Sequence, residues 1–370
     1  MIYFLINNNY HRLDFENHLS HLDENNVTLI EIPHTLDERR YTKLSGIFRY
    51  RKPPQSGLMA QVMSFLSLVR KIGADINPTS GDTLFFYTEY EILNQYVAGR
   101  FMQAGSRVYL IEDGGLGTYV PFRMSGCESL TLKESTKQFV YRLLPGISRI
   151  RLHKLNGFIF PWMPDSCITG VCLYRPVSIS RIIPTHILKR PFQPQVNCTS
   201  GRVVFLNEPI YSIYQGEEEY IDGLIKIVDG LCNGFNEVLF KFHPRETDEW
   251  RTRIKQQITF HFPRVNFIKV DTAIEEVVDH YHPSVVASYF CSALLSLCDR
   301  GIQPLFLYHL IPDIQRQPIF RETTSVLTDL GYHFVENFSE ANSNFRSGLL
   351  NTANYQNSIT LAELIGQNRA

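Results

Sequence analysis

Tyr109-Leu110-Ile111-Glu112-Asp113-Gly114-Gly115-Leu116-Gly117-Thr118-Tyr119 is an apolar run that stops at two carboxylates and a glycine-rich turn. About one domain length further on, Lys241-Phe242-His243-Pro244-Arg245 repeats the design, with an apolar run stopping at a histidine and a proline. In α/β proteins chemistry gathers beyond the carboxyl ends of parallel strands. Two such ends this far apart imply two domains of that class, each lending residues to one cleft.

The surroundings of both stretches fit that reading. Residues 2–6, 27–32, 83–87 and 107–111 are apolar runs of strand length. Between them, 61–72 and 89–103 carry apolar residues at three-to-four spacing, as amphipathic helices do. Such alternation implies a mostly parallel sheet covered on both faces. A second series follows: strands at 203–206, 238–242, 265–270, 285–287 and 304–308, and helices over 217–231, over 272–281 and from about 292. Between the two series, 178–200 is rich in proline and polar residues and has no sustained period, which reads as a linker. The expected layout is a Rossmann-like N-terminal domain over 1–180, a linker over 181–200 and a Rossmann-like C-terminal domain over 201–370. Two doubly wound α/β domains facing a central cleft form the layout called GT-B.

Composition narrows the function. The chain has 370 residues, too many for one ordinary core. Its 44% apolar and 20% charged residues are those of a soluble protein. A net charge of −1 gives no global field, so nucleic acid is not an expected partner. The seven cysteines are scattered without a CxxC pair, which argues for a reducing compartment and against a disulfide framework or a zinc site. No basic leader opens the chain, and the longest apolar run, 285–298, falls short of a bilayer span. The expected location is the cytoplasm, with peripheral attachment to the inner membrane left open. A homodimer is compatible with the sequence but not specified by it. No GxGxxG follows the first strand, where Asn7-Asn8-Asn9 stands, so a dehydrogenase is disfavoured.

Three constellations carry candidate chemistry. Like-charge repulsion raises the proton affinity of a carboxylate pair, and this suits Glu112-Asp113 to general-base work. Gly114 and Gly115 let the backbone turn and a substrate approach. Alone, a solvated acidic turn explains the pair equally well. His243-Pro244, flanked by Lys241 and Arg245, offers an imidazolium and cations to an anionic leaving group. A lone histidine is more often structural. Ser288 and Ser292 bracket a strand-to-helix turn whose free N–H groups suit a phosphate, although capping without a ligand is the commoner case. Glu275 and Glu276, early in a helix, either hold ribose hydroxyls or complement the helix dipole.

Taken together, these motifs resemble those of the bacterial sialyltransferases, including the lipooligosaccharide sialyltransferases and the capsule polysialyltransferases. Those enzymes share an acidic pair plus glycine, a His-Pro and a serine pair. The first matches Glu112-Asp113-Gly114, with Tyr119-Val120 after it; the second matches Phe242-His243-Pro244. The third is imperfect, because Cys291-Ser292 stands where two hydroxyl residues are usual. Val204 to Pro209, including Asn207, is similar to the family's opening strand and proline turn.

The resemblance implies inverting transfer of sialic acid, or a related nonulosonic acid, from a CMP-activated donor to a hydroxyl of a bacterial surface glycan. It implies Asp113 as catalytic base with Glu112 assisting or substituting, and His243 on the departing CMP phosphate. Donor binding falls to His243, Pro244, Asn207, Ser288, Ser292 and Glu275 or Glu276. No cofactor and no metal is implied. The sequence leaves three alternatives open: a GT-B transferase using CMP-Kdo, one using a CDP-polyol, or a catalytically silent binding protein. For the acceptor, residues 133–154 carry seven basic groups, His153 included, against one acid. That suits an anionic glycan or the inner leaflet, and equally a solvated helical face followed by a loop. Trp162 and Tyr119 are candidates for stacking on sugars.

Overall fold

A computed structural model describes residues 1–35, 41–51, 58–114, 116–123, 128–143, 150–155, 158–190, 196–211, 216–270, 272–311, 314, 318–332, 334–335 and 358–367. By internal contacts the chain divides into two units. The first takes in Met1–Asp113, Gly117–Phe192 and Asn354–Ala370, and the second Gly114–Leu116 and Gln193–Ala353.

The first unit is built on seven parallel strands: β1 (Ile2–Asn8), β2 (Val27–Thr35), β3 (Gly46–Arg49), β4 (Thr83–Phe86), β5 (Arg107–Ile111), β8 (Gly170–Leu173) and β9 (Thr185–Ile187). Their order is β3-β2-β1-β4-β5-β8-β9. Residues on both faces of β4 are buried, which is why the strand reads as continuously apolar. Across one face Phe4, Phe85 and Tyr109 stack at 5.3 Å per step. Helix α1 (Asn9–Leu19) covers that face through Phe15, whose ring lies 4.9 Å from Phe4. β6 (Arg151–Leu155) and β7 (Phe158–Trp162) form a separate antiparallel hairpin.

Two boundaries differ from the expected ones. The C-terminal helix Leu361–Gln367 belongs with the first unit, where Leu361, Leu364 and Ile365 enter its core. Burying each such side chain favours the fold by about 1.5–3 kcal/mol, more than proximity in sequence can offset. The expected linker also contains β9, a three-residue edge strand, and Leu188, which bridges Ile359. A strand this short leaves no periodicity to read among prolines.

The second unit has five parallel strands: β10 (Thr199–Leu206), β11 (Glu237–Lys241), β12 (Asn266–Ile268), β13 (Pro283–Ser288) and β14 (Gln303–Phe306), in the order β12-β11-β10-β13-β14. The chain runs outward from β10 through β11 to β12, then returns to β13 on the other side. That reversal makes a topological switch point between β10 and β13, the place where open α/β sheets bind ligands. The first sheet has its own reversal between β1 and β4. No helix among the described residues is long and apolar enough to cross a membrane.

Candidate active site

In the first unit the acidic pair leaves the end of β5 and splits. Glu112 turns inward and is fully buried. Its carboxylate accepts from the Tyr119 hydroxyl, from the Tyr174 backbone N–H at 2.7 Å and from Arg190 at 3.3 Å. Burial pushes this carboxyl above the ordinary range, against the pull of Arg190 and Arg175. Asp113 turns outward, its side chain 32% exposed. Gly114, at φ 71°, makes the turn, and the Thr118 hydroxyl accepts from the Asp113 N–H at 2.7 Å.

Asp113 has a partner that the motifs do not show. His11, in the first turn of α1, places Nε2 2.8 Å from Asp113 Oδ1. Its Nδ1 accepts from the Asn7 backbone N–H at 3.2 Å. A backbone amide can only donate, and although the Asn8 side-chain amide nitrogen lies 3.2 Å from Nε2, the carboxylate is nearer, so the ring proton is assigned to Nε2, facing Asp113. The ring is fully buried and stacks on Tyr87 at 4.6 Å. Asn8 caps the helix by accepting from the His11 N–H at 2.9 Å. Asn7 exchanges amide hydrogen bonds with Asn94 at 3.1 and 2.8 Å. Asn7 and Asn8 thus orient the histidine that holds Asp113.

In the second unit, three neighbouring strands deliver groups to one edge of the sheet. His243, beyond β11, is partly exposed, and its Nδ1 accepts from the Arg245 N–H at 3.0 Å. Burial, then Arg245 and Lys241, push its pKa down to about 4. The ring is therefore neutral at physiological pH, with Nε2–H left as a donor; the sequence had suggested an imidazolium. Desolvation and like charge explain the difference. Pro244 is exposed and stiffens the turn.

Beyond β10, Asn207 is buried and donates to Glu246 at 2.5 Å and to the Tyr220 hydroxyl at 3.0 Å. At the end of β13, Ser288 is buried too. Its hydroxyl lies 2.6 Å from Glu208 and 2.8 Å from the Leu206 carbonyl. Both residues were expected on the donor; the structure places them beneath the edge, holding its loops. Burial raises Glu208 and Glu246 to about 7 each. Ser292 is partly exposed at the N-cap of α9 (Ala293–Cys298) and makes no side-chain cap bond. Desolvation pushes the Cys291 thiol up to about 12, so it stands there as a neutral group. Glu275 and Glu276 lie in the first turn of α8 (Ile274–Tyr281). The former is partly buried and raised by burial, and the latter is exposed.

The sequence model of the Alpha-2,8-polysialyltransferase (POLYST) family matches residues 4–299. This chain belongs to the alpha-2,8-polysialyltransferase family. The polysialyltransferase match reaches into both units and takes in the acidic, His-Pro and serine motifs and His11. No curated protein matches the sequence.

Two solved structures show the fold. The UDP-GlcNAc 2-epimerase from Methanocaldococcus jannaschii is similar at TM-score 0.51 and 9% identity, over 100% of this chain and 98% of that one. TcCGT1 in complex with UDP is similar at TM-score 0.50 and 10% identity, over 93% and 89%. The fold is GT-B, and a polysialyltransferase-family chain on it is a glycosyltransferase.

Other expected positions resolve as follows. Gly115 lies outside the described residues. Tyr119 is fully buried on Glu112, and Trp162 is buried against His153 and Arg181, so neither presents a face to a sugar. Each aromatic fills core volume that its size makes costly to leave open. Among the described residues, no group of three or more His, Cys, Asp or Glu is gathered to hold a metal ion. His11 escaped the sequence reading because it sits 102 positions from its partner with no motif around it.

Proposed function

We propose that this polysialyltransferase-family protein transfers sialic acid, or a related nonulosonic acid, from a CMP-activated donor to a hydroxyl of a bacterial surface glycan, with inversion. The observation that carries the reading is the His11–Asp113 pair. It is a partly exposed carboxylate held by a buried imidazole at the end of a parallel strand, in a chain whose family is named for sialyl transfer.

Asp113 takes the proton of the acceptor hydroxyl as its oxygen attacks the anomeric carbon. The bond from that carbon to the CMP phosphate breaks, and its electron pair leaves with the phosphate. His243 donates a hydrogen bond from neutral Nε2 to that phosphate, and Ser292 adds its hydroxyl. Glu275 or Glu276 holds the ribose. Glu112 keeps Tyr119, Arg190 and the strand end in place and serves as a positioning residue. The leaving group is one phosphate, and the proposed reaction needs neither metal nor cofactor.

The test is to incubate the protein with CMP-sialic acid and a reducing-end-labelled oligosialic acid, with and without EDTA, and to follow acceptor mass. Addition of one or more sialic acid residues in both conditions supports the reading. Addition from CMP-Kdo or a UDP-sugar alone would overturn the donor, and loss of transfer with EDTA would overturn metal independence.

A further inference from the structure

Helix α5 (Leu132–Arg142) lies against the hairpin strand β6 through one face. Glu134 reaches Lys154 at 3.3 Å, Gln138 accepts from the Leu152 N–H at 2.6 Å, and Tyr141 is buried. Thr131 and Glu134 close its N-terminus in a capping box, so the helix is well specified. The opposite face holds Leu132, Phe139 and, at the C-cap, Leu143, exposed by 87%, 62% and 69%. Spacings of seven and four residues bring these three within about 40° of one another around the helix. They are large apolar groups left in water side by side, which is what marks an interaction surface.

The exposed charges of the helix itself have one sign. Lys133 and Lys137 are exposed on one shoulder and Arg142 on the other, with Arg151 exposed at the start of β6. The only acid of the helix, Glu134, turns inward to Lys154. We propose that this face of α5 docks on an anionic lipid bilayer, with Leu132, Phe139 and Leu143 entering the boundary between headgroups and acyl chains. Lys133 meets the lipid phosphates, its aliphatic stem lying along the apolar strip, while Lys137, over the Tyr141 ring, and Arg142, on the Ile150 carbonyl, add positive charge beside it. A second copy of this chain is a poor occupant, because pairing the face with itself sets these cations against one another. The inference rests on this surface alone and holds whatever the donor proves to be.

Attachment through three side chains and local charge is reversible and salt-sensitive. The test is co-sedimentation of the full chain with phosphatidylcholine vesicles, with and without phosphatidylglycerol, at low and raised salt. The wild type is expected to sediment with the anionic vesicles at low salt only. Replacing Leu132, Phe139 and Leu143 together by serine is expected to weaken this about tenfold or more, with the melting temperature unchanged because all three are exposed. Lys133→Glu with Lys137→Glu keeps the apolar strip and is expected to weaken it as well. The proposal is overturned if the wild type ignores anionic vesicles, or if both variants sediment as the wild type does. It is equally overturned if light scattering finds a dimer that the serine variant dissociates, since a second copy then covers the strip.

Discussion

His11 Nε2 stands 2.8 Å from Asp113 Oδ1, while the Asn7 backbone N–H donates to the other ring nitrogen and so favours the tautomer that donates to the carboxylate. The end of β1 thereby holds one oxygen of the carboxylate that follows β5, and in the proposed reaction Oδ2 takes the substrate proton. A base held in this way is pre-organised, and pre-organisation acts on turnover more than on donor binding.

His11→Leu should therefore lower kcat by about 10–100-fold while the KM for the CMP-sugar changes little. His11→Gln, whose amide nitrogen can stand where Nε2 stands, should recover most of the loss. Steady-state kinetics on both variants, with melting temperatures as a control, decide the point. Equal losses in the two would mean that the residue only fills space.

Asp113→Asn keeps the shape and still accepts from His11, but it cannot take a proton. Turnover should fall by about 10²–10⁴-fold. CMP affinity by calorimetry should stay within about twofold, because the proposed nucleotide groups belong to the other unit. Wild-type turnover in this variant would remove Asp113 from the base role.

What the sequence made legible was periodicity and strand ends. The runs 107–111 and 238–242 are β5 and β11 with at most one residue of difference, and the ionisable groups do stand just beyond them. It did not show which carboxylate of the pair faces out, because Glu112 and Asp113 differ only in what surrounds them. Tyr174 and Arg190, which claim Glu112, lie 62 and 78 positions away. Nor did it show that Ser288 and Asn207 are buried on partners of their own. Their partners Glu208 and Glu246 are groups that only the packed edge brings near. Local pattern reports the backbone, whereas side-chain direction is a product of long-range contacts.

His243, with its pKa pushed down to about 4, is neutral above that value in the free protein. In the proposed reaction its service to a phosphate is then a hydrogen bond from Nε2, not a full charge. His243→Ala should weaken CMP binding by about 10–100-fold, the size of one hydrogen bond to a charged acceptor, and reduce turnover with it. His243→Gln restores a donor near the Nε2 position and should regain part of the affinity. Titrations with CMP at pH 7.5 separate the cases. No recovery in the glutamine variant would point to a charged imidazolium in the complex.

Glu208 is buried, and its carboxyl is raised from 4.5 to about 7 by desolvation, against the hydrogen bonds from Ser288 and Phe290. The folded protein thus holds a proton there that the unfolded chain gives up near pH 4.5. Stability from this group is fully present below that pH and is lost as pH rises through about 7. Glu246 and Glu89, also raised to about 7, act in the same direction. Glu208→Gln keeps a neutral amide in the same space, so its stability relative to the wild type should climb between pH 5 and 8. The gain should be on the order of 2–3 kcal/mol and level off above the upper value. Urea unfolding of both proteins across that range measures it. Parallel pH curves for the two would show that Glu208 is ionised in the folded protein and that its buried charge is balanced by the hydrogen bonds it accepts.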